Sequence, residues 1–298
     1  MPAPIALFVY NRPQHTALTL EALRRNEVSA QTDLYVFSDG PRRPEDESSV
    51  SAVRSLIRQT TGFRKVHLME SQQNKGLSRS IIGGVSRVLE TAENVIVMED
   101  DIVTSPYFLD YMNQALTLYQ HDEQVISIHG YVYPVRKKLP PTFFLRGADC
   151  WGWATWRRGW SMFEPDGRKL LAALTDEKLI HQFDYNGAFA NSKMLEDQIH
   201  GKNDSWAIRW HASAFLRNKL TLYPGTSLVR NIGLDNSGTH SGVSTAYDGS
   251  LQQEPVLVER IPTIECEDAI KAFADYLQYR KASSGDRWRR LFRRFLGN

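Results

Sequence analysis

The first 120 residues alternate short apolar runs with segments whose apolar residues recur every three or four positions, and few folds accommodate that alternation. Ile5–Val9, Leu34–Phe37, Val66–Met69 and Val95–Met98 have the length and character of buried strands. Between them, the stretch through Ala17, Leu20 and Leu23, the stretch Val50–Gln59, and the set Leu77, Ile81, Val85, Val88 and Leu89 read as amphipathic helices. Pro13 suits a first helical turn, and Ser38-Asp39-Gly40-Pro41 punctuates a turn after the second strand. Strands separated by helices predict an α/β fold with a mostly parallel central sheet covered on both faces. Ser105-Pro106 reads as an N-cap and first helical position, opening a helix through Leu109, Met112, Leu116 and Tyr119. Beyond it the pattern loosens. Val125–Ile128, Phe143–Leu145 and Leu220–Tyr223 look like strands, 175–200 looks helical, and 231–252, rich in Gly, Ser, Thr and Asn, reads as a mobile loop.

The fourth apolar run is followed at once by Glu99, Asp100 and Asp101. In open α/β sheets, ligands bind just beyond the carboxyl ends of the strands. Carboxylates crowded there repel one another unless a cation sits among them, and hard oxygen ligands suit Mg²⁺ or Mn²⁺. The plainer alternative is a solvated acidic loop. Two more strand ends deliver polar groups to the same edge, Asn11 and Arg12 after the first and Ser38 and Asp39 after the second. Asn74-Lys75-Gly76-Leu77-Ser78-Arg79 lies between, with a glycine opening a helix. Asp39 is placed to accept hydrogen bonds from a base or ribose, and Arg12 or Arg79 to neutralise a diphosphate. Singly, each has another account: Asn11 and Asp39 as turn residues, Arg79 as half of a surface ion pair. Their convergence favours a nucleotide site.

Several classes are disfavoured. No GxGxxG follows the first strand, and there is no P-loop, no GxSxG elbow and no paired aspartates of the haloacid-dehalogenase kind. A formal charge of +2 gives no reason to expect nucleic acid as a partner. Cys150 and Cys266 stand apart, outside any CxxC or Cys/His cluster, which argues against a zinc site or disulfide framework. The N-terminus lacks signal-peptide character and no apolar window is long enough to span a bilayer, so the expected home is the cytoplasm.

Five segments together resemble the GT-A glycosyltransferases, of the bacterial kind encoded with surface-polysaccharide genes. They are Phe8–Pro13, Val36–Pro41, Asn74–Leu77, Val97–Asp101 and Cys150–Trp156. More distantly, the chain is similar to the animal N-acetylglucosaminyltransferase that begins complex N-glycan branching. The resemblance implies a nucleotide-sugar donor, with a UDP-sugar foremost, a divalent ion, and inverting transfer to a glycan or lipid-linked acceptor in cell-surface polysaccharide synthesis. It implies that Glu99, Asp100 and Asp101 play the part of the DxD motif, with Asp101 on the metal, Asp100 towards the ribose and Asp39 facing the nucleobase. The triplet is Glu-Asp-Asp rather than Asp-x-Asp, so which oxygens touch the metal stays open. Animal relatives place their general base in an Asp-Trp-rich segment before the final strands. Asp204 is the corresponding candidate here, with Glu196 and Asp197 as rivals and a helix N-cap as the other account of Asp204. His240 lies where related enzymes carry a polar loop that closes over the diphosphate, and it would reach the metal from there. Trp151, Trp153, Trp156 and Trp160 form the densest aromatic cluster, in which Trp151 and Trp153 are the candidates to line a sugar or acceptor cleft and core packing is the alternative. On this reading one domain, 1–282, has a nucleotide-sugar half, 1–104, and an acceptor half, 105–282.

The remaining tail, 283–298, is basic. Within it, 286–298 carries five arginines and one aspartate, so +4 of the total +2 sits there and the rest of the chain is near −2. Trp288, Leu291, Phe292, Phe295 and Leu296 recur as one helical stripe with arginines off it, the pattern of a helix lying in an anionic membrane surface. A helix docked on protein is the alternative. Together these features predict a peripheral enzyme on the inner face of the cell membrane. The rival classes are a sugar-nucleotidyltransferase, which needs a glycine-rich basic loop that Asn11-Arg12-Pro13 does not resemble, and a non-catalytic membrane-bound glycan assembly protein.

Overall fold

The computed structural model describes residues 1–235 and 247–280. The first part of the chain builds β1 (Ile5–Val9), α1 (Pro13–Arg24), β2 (Asp33–Ser38), α2 (Glu47–Arg58), β3 (Lys65–Glu70), α3 (Leu77–Leu89) and β4 (Asn94–Glu99). It continues through β5 (Ile102–Thr104), α4 (Phe108–Leu118), β6 (Val125–His129), β7 (Thr142–Arg146), β8 (Trp153–Trp156) and α5 (Arg157–Trp160). Then come α6 (Gly167–Asp176), α7 (Ile180–Phe183), α8 (Asn191–Ile199), α9 (Trp206–Leu216), β9 (Leu220–Pro224) and β10 (Val229–Asn231), and helix again over 267–280. His240, residues 236–246 of the glycine- and serine-rich loop, and the basic tail lie outside the described residues.

Eight strands form one sheet in the order β3-β2-β1-β4-β8-β6-β9-β7. The block β3-β2-β1-β4 is wholly parallel, as the strand–helix alternation predicts. Period-two alternation divides its side chains cleanly. Ile5, Leu7, Val9, Ile96 and Met98 enter one core layer with α1, α2 and α4, while Ala6, Phe8, Val95 and Val97 enter the other with α3 and α9. The central α/β sheet with helices on both faces is therefore observed. Its second half is mixed, since β8 runs antiparallel to both β4 and β6, and β7 antiparallel to β9.

That mixed half decides what shares the ligand edge. β8 begins where β4 ends, with Trp153 opposite Val97. β6 ends there too, with His129 opposite Trp153, and β9 runs parallel to β6. The ends of β1, β2, β4, β6 and β9 and the start of β8 thus lie along one edge.

Two expectations are corrected, and three strands that the sequence did not mark are present. α4 starts at Phe108, not at Pro106; Ser105 Oγ accepts the Tyr107 N–H at 3.3 Å in the turn before it and donates to the Gln252 carbonyl at 2.7 Å. The 175–200 stretch is three helices, broken by positive φ at Lys178, Tyr185 and Asn186. β8 falls in the aromatic cluster, and β5 pairs antiparallel with β10 as a separate ribbon. Among the described residues, no helix is long and apolar enough to cross a membrane.

Candidate functional site

The acids after β4 meet Arg12 at the end of β1. The Arg12 Nη2 donates to Asp100 Oδ1 and, at 2.9 Å, to Asp101 Oδ2. Burial works against a charged guanidinium, yet the two carboxylates hold Arg12 above the ordinary arginine range. Asp100 is 4 % exposed and also accepts the Tyr10 N–H at 3.4 Å, while burial pushes its pKa up to about 6 despite Arg12. Asp100 is thus turned inward onto β1. Asp101 keeps 14 % of its side chain exposed. Glu99 makes no side-chain hydrogen bond among the described residues, and burial with the charges of Asp101 and Asp100 pushes it up to about 8. The three acids thus sit in three different environments and are not equivalent.

The carboxylate pair is closely covered. The Ile232 N–H donates to the Asp101 carbonyl at 2.8 Å, and a Cβ added at Gly233 would stand 2.1 Å from Asp101 Oδ2 and 2.8 Å from Arg12 Nη1. The chain leaving β10 therefore lies directly against the acids, and a side chain at Gly233 would displace the Asp101 and Arg12 head groups. Carboxylates are hard oxygen donors of the kind a divalent cation takes, and here the Arg12 guanidinium supplies the positive charge between them. Among the described residues no group of three or more His, Cys, Asp or Glu side chains could hold a metal ion. A cation bound by one or two carboxylates finishes its coordination with phosphate oxygens and water, as Mg²⁺ commonly does.

The other sequence candidates divide sharply. Asp39 is 8 % exposed, and its carboxylate accepts Gly40 N–H at 2.9 Å, Lys75 N–H at 2.9 and 3.1 Å, and Gly76 N–H at 2.9 Å. A carboxylate offers about four lone-pair sites. Three N–H groups, of which that of Lys75 is shared between both oxygens, tie Asp39 to the turn that starts α3, where Gly76 takes a φ of +79°, and leave acceptor capacity for one further donor. Asn11 donates to Asp46 Oδ1 at 3.0 Å, beside the Tyr10 hydroxyl on Asp46 Oδ2 at 2.9 Å, and ties β1 to the turn before α2. Arg79 is exposed on α3 with no ion-pair partner among the described residues, so the surface-pair account of it fails.

Asp204 precedes α9, but the cap is Ser205, whose Oγ accepts the Ile208 N–H at 3.2 Å. Asp204 is 65 % exposed, stands 3.7 Å from Arg209 Nη2, and its Oδ2 lies 4.0 Å from a Cβ built on Gly76. It is therefore an exposed carboxylate beside the start of α3 whose one charged neighbour among the described residues is Arg209. The buried Arg209 is fixed beside it by Ser78 Oγ at 2.6 Å and the Pro165 carbonyl at 3.1 Å. Asp197 instead pairs with Lys193 and with Lys202 at 3.2 Å, and those lysines hold it below the usual carboxylate range, which makes it a poor base. Glu196 sits half-buried on the same helix, away from these contacts.

The tryptophans also separate. Trp153 is fully buried, stacked on Trp206 at 5.5 Å and close to Trp210 and Trp160 at 5.8 Å. It is core and lines no cleft. Trp151 is half-buried at the edge, edge-on to Tyr131 at 4.7 Å. Sequence reasoning missed Asp149 and His129. Only the register of β6 against β8 brings them together, and no spacing in the chain signals it.

No family model matches the chain, and no curated protein matches it. Among solved structures, a mannosyltransferase, PcManGT from Pyrobaculum calidifontis in complex with GDP-Man and Mn²⁺, is 13% identical with a TM-score of 0.40, over 72% of each chain. S. aureus TarS is 11% identical with a TM-score of 0.33, over 49% of this chain and 25% of that one. Residues 1–349 of TarS give 11% and 0.34 over 59% of this chain and 49% of that one. The chain thus spans only a quarter of the first TarS structure. At such distance the likeness brings no donor, metal or mechanism to this chain.

Proposed function

We propose that the chain is a metal-dependent glycosyltransferase of the GT-A kind, moving a sugar from a nucleotide-sugar donor to a glycan or lipid-linked acceptor. The observation that carries this is the carboxylate pair Asp100 and Asp101 at the end of β4, bridged by Arg12 from the end of β1. Asp101, the more exposed of the two, is the residue to hold a divalent ion, and Asp100 fixes the turn behind it. A bound cation would stabilise the charge that grows on the departing diphosphate. Arg12, once released from the acids, is in reach of the same phosphates. Asp204, unpaired by any cap and aimed at the start of α3, takes the proton from the acceptor hydroxyl. Inversion, a UDP-sugar as first donor, the likeness to the animal branching enzyme, and division into halves at 104/105 follow from the motif resemblance. Attachment to the inner membrane face follows from the arginine-flanked stripe at 286–298.

Calorimetry with UDP and GDP in the presence of Mn²⁺ tests the proposal, followed by hydrolysis of a panel of nucleotide sugars. Asp101→Ala is expected to abolish metal-dependent nucleotide binding. Asp204→Asn is expected to bind the donor normally and to slow transfer by about 10²-fold or more. A chain that binds no nucleotide with Mn²⁺ is not a transferase of this kind, and unimpaired transfer by Asp204→Asn removes Asp204 from the mechanism.

A further inference from the structure

Along the β8-β6-β9 part of the edge, one carboxylate stands among phenols. Asp149 has a side chain 34 % exposed, with Oδ1 accepting the Cys150 N–H at 2.8 Å and Oδ2 at 3.6 Å from His129 Nε2. His129, the last residue of β6, has no exposed surface, and neither ring nitrogen has a hydrogen-bond partner among the described residues. Buried polar groups are nearly always satisfied, so a doubly orphaned imidazole calls for a partner, and the half-open Asp149 carboxylate 3.6 Å away is the acceptor beside it. Burial lowers the His129 pKa against the opposing charge of Asp149, leaving a neutral ring that can donate one N–H to that carboxylate.

Aromatic rings wall this position. Tyr223 lies edge-on to His129 at 5.0 Å, Tyr131 at 6.4 Å, and Tyr133 meets Tyr131 at 5.6 Å. The hydroxyls of Tyr133, Tyr185 and Tyr223 make no hydrogen bond among the described residues. Burial, followed by the charge of Asp149, raises the pKa of each, so all three remain O–H donors at neutral pH. In the sheet order, the acids of β4 separate this cluster from Asn11 and Asp39.

We propose that Asp149, beside His129 and the adjoining rings of Tyr223, Tyr131 and Trp151, is a saccharide-binding subsite in which the carboxylate accepts hydrogen bonds from a pair of sugar hydroxyls. Trp151 covers the apolar face of the ring, the phenols donate to the remaining oxygens, and His129 is a positioning residue that holds Asp149 from beneath. The place of the subsite in a transfer reaction rests on the glycosyltransferase reading; its ligand chemistry rests on the cluster itself. A donor's sugar and an acceptor's sugar share that chemistry.

The full chain is titrated with methyl glycosides of glucose, galactose, mannose, N-acetylglucosamine and rhamnose, followed by saturation-transfer NMR. At least one binds, and Asp149→Asn weakens it about tenfold or more, with Tyr223→Phe weakening it less. His129→Gln, which keeps an N–H, retains the affinity, whereas His129→Leu loses it at an unchanged melting temperature. No glycoside binding, or equal binding by Asp149→Asn, overturns the subsite. Displacement of the glycoside by a nucleotide sugar but not by UDP makes it the donor's position; simultaneous binding makes it the acceptor's. Glycoside binding in a chain that takes no UDP with Mn²⁺ keeps the subsite and removes the transferase reading.

Discussion

Asp39 and Asp204 show how far a residue's identity is from its employment. Both are aspartates beside a turn, and the sequence offers a structural and a chemical account of each. Asp39 also holds a turn, through the backbone N–H groups of Gly40, Lys75 and Gly76, and Asp204 caps nothing, since Ser205 caps α9, but stands 3.7 Å from Arg209. Asp39→Ala strands the Lys75 and Gly76 N–H groups and is expected to cost about 3 kcal/mol in urea unfolding, with Asp39→Asn costing less because one acceptor oxygen survives. A stability loss below about 0.5 kcal/mol would show that the turn is held by something else. The chemistry of a side chain can be read from the sequence; its partners, here 36 and 37 positions away in the chain, cannot.

At the scale of elements, the parallel block is legible because its strands are apolar runs and its helices carry a three-to-four repeat. β8 is not, since Trp153–Trp156 is four residues buried on both faces, and a short buried run has no period to betray it. The cleft role given to Trp153 failed for that reason. Trp153→Ala is expected to destabilise by about 3–5 kcal/mol, measured by urea unfolding, through loss of packing on Trp206, Trp210 and Trp160. A loss confined to sugar binding would mean that Trp153 is not core. The breaks within 175–200 had one visible sign, Asn186-Gly187, a turn dipeptide inside an otherwise helical pattern. Lys178 and Tyr185 take positive φ with no such mark.

Across the whole molecule, buried imidazoles set a pH dependence. Burial lowers the pKa values of His129 and His211 below the ordinary value of 6.5. Below that value the unfolded chain takes up protons that the folded chain refuses, so stability present above pH 6.5 is lost as pH falls through the lowered values. Glu99, pushed up to about 8, acts in the opposite sense as pH rises, so the variant must be compared with the parent at each pH. His211→Gln is expected to lose less stability than the parent between pH 7.5 and pH 5, roughly the range over which a histidine charges; parallel curves would refute this. Arg12 has a different consequence. Since its guanidinium already answers both acids, loading a metal, on the function proposed above, would swap one positive partner for another, and the evicted arginine would need an anion to receive it. Manganese and pyrophosphate should therefore enter as a mutually dependent pair. Calorimetry is expected to show feeble uptake of Mn²⁺ alone and strong uptake with UDP, and Arg12→Ala to tighten the first while weakening the second.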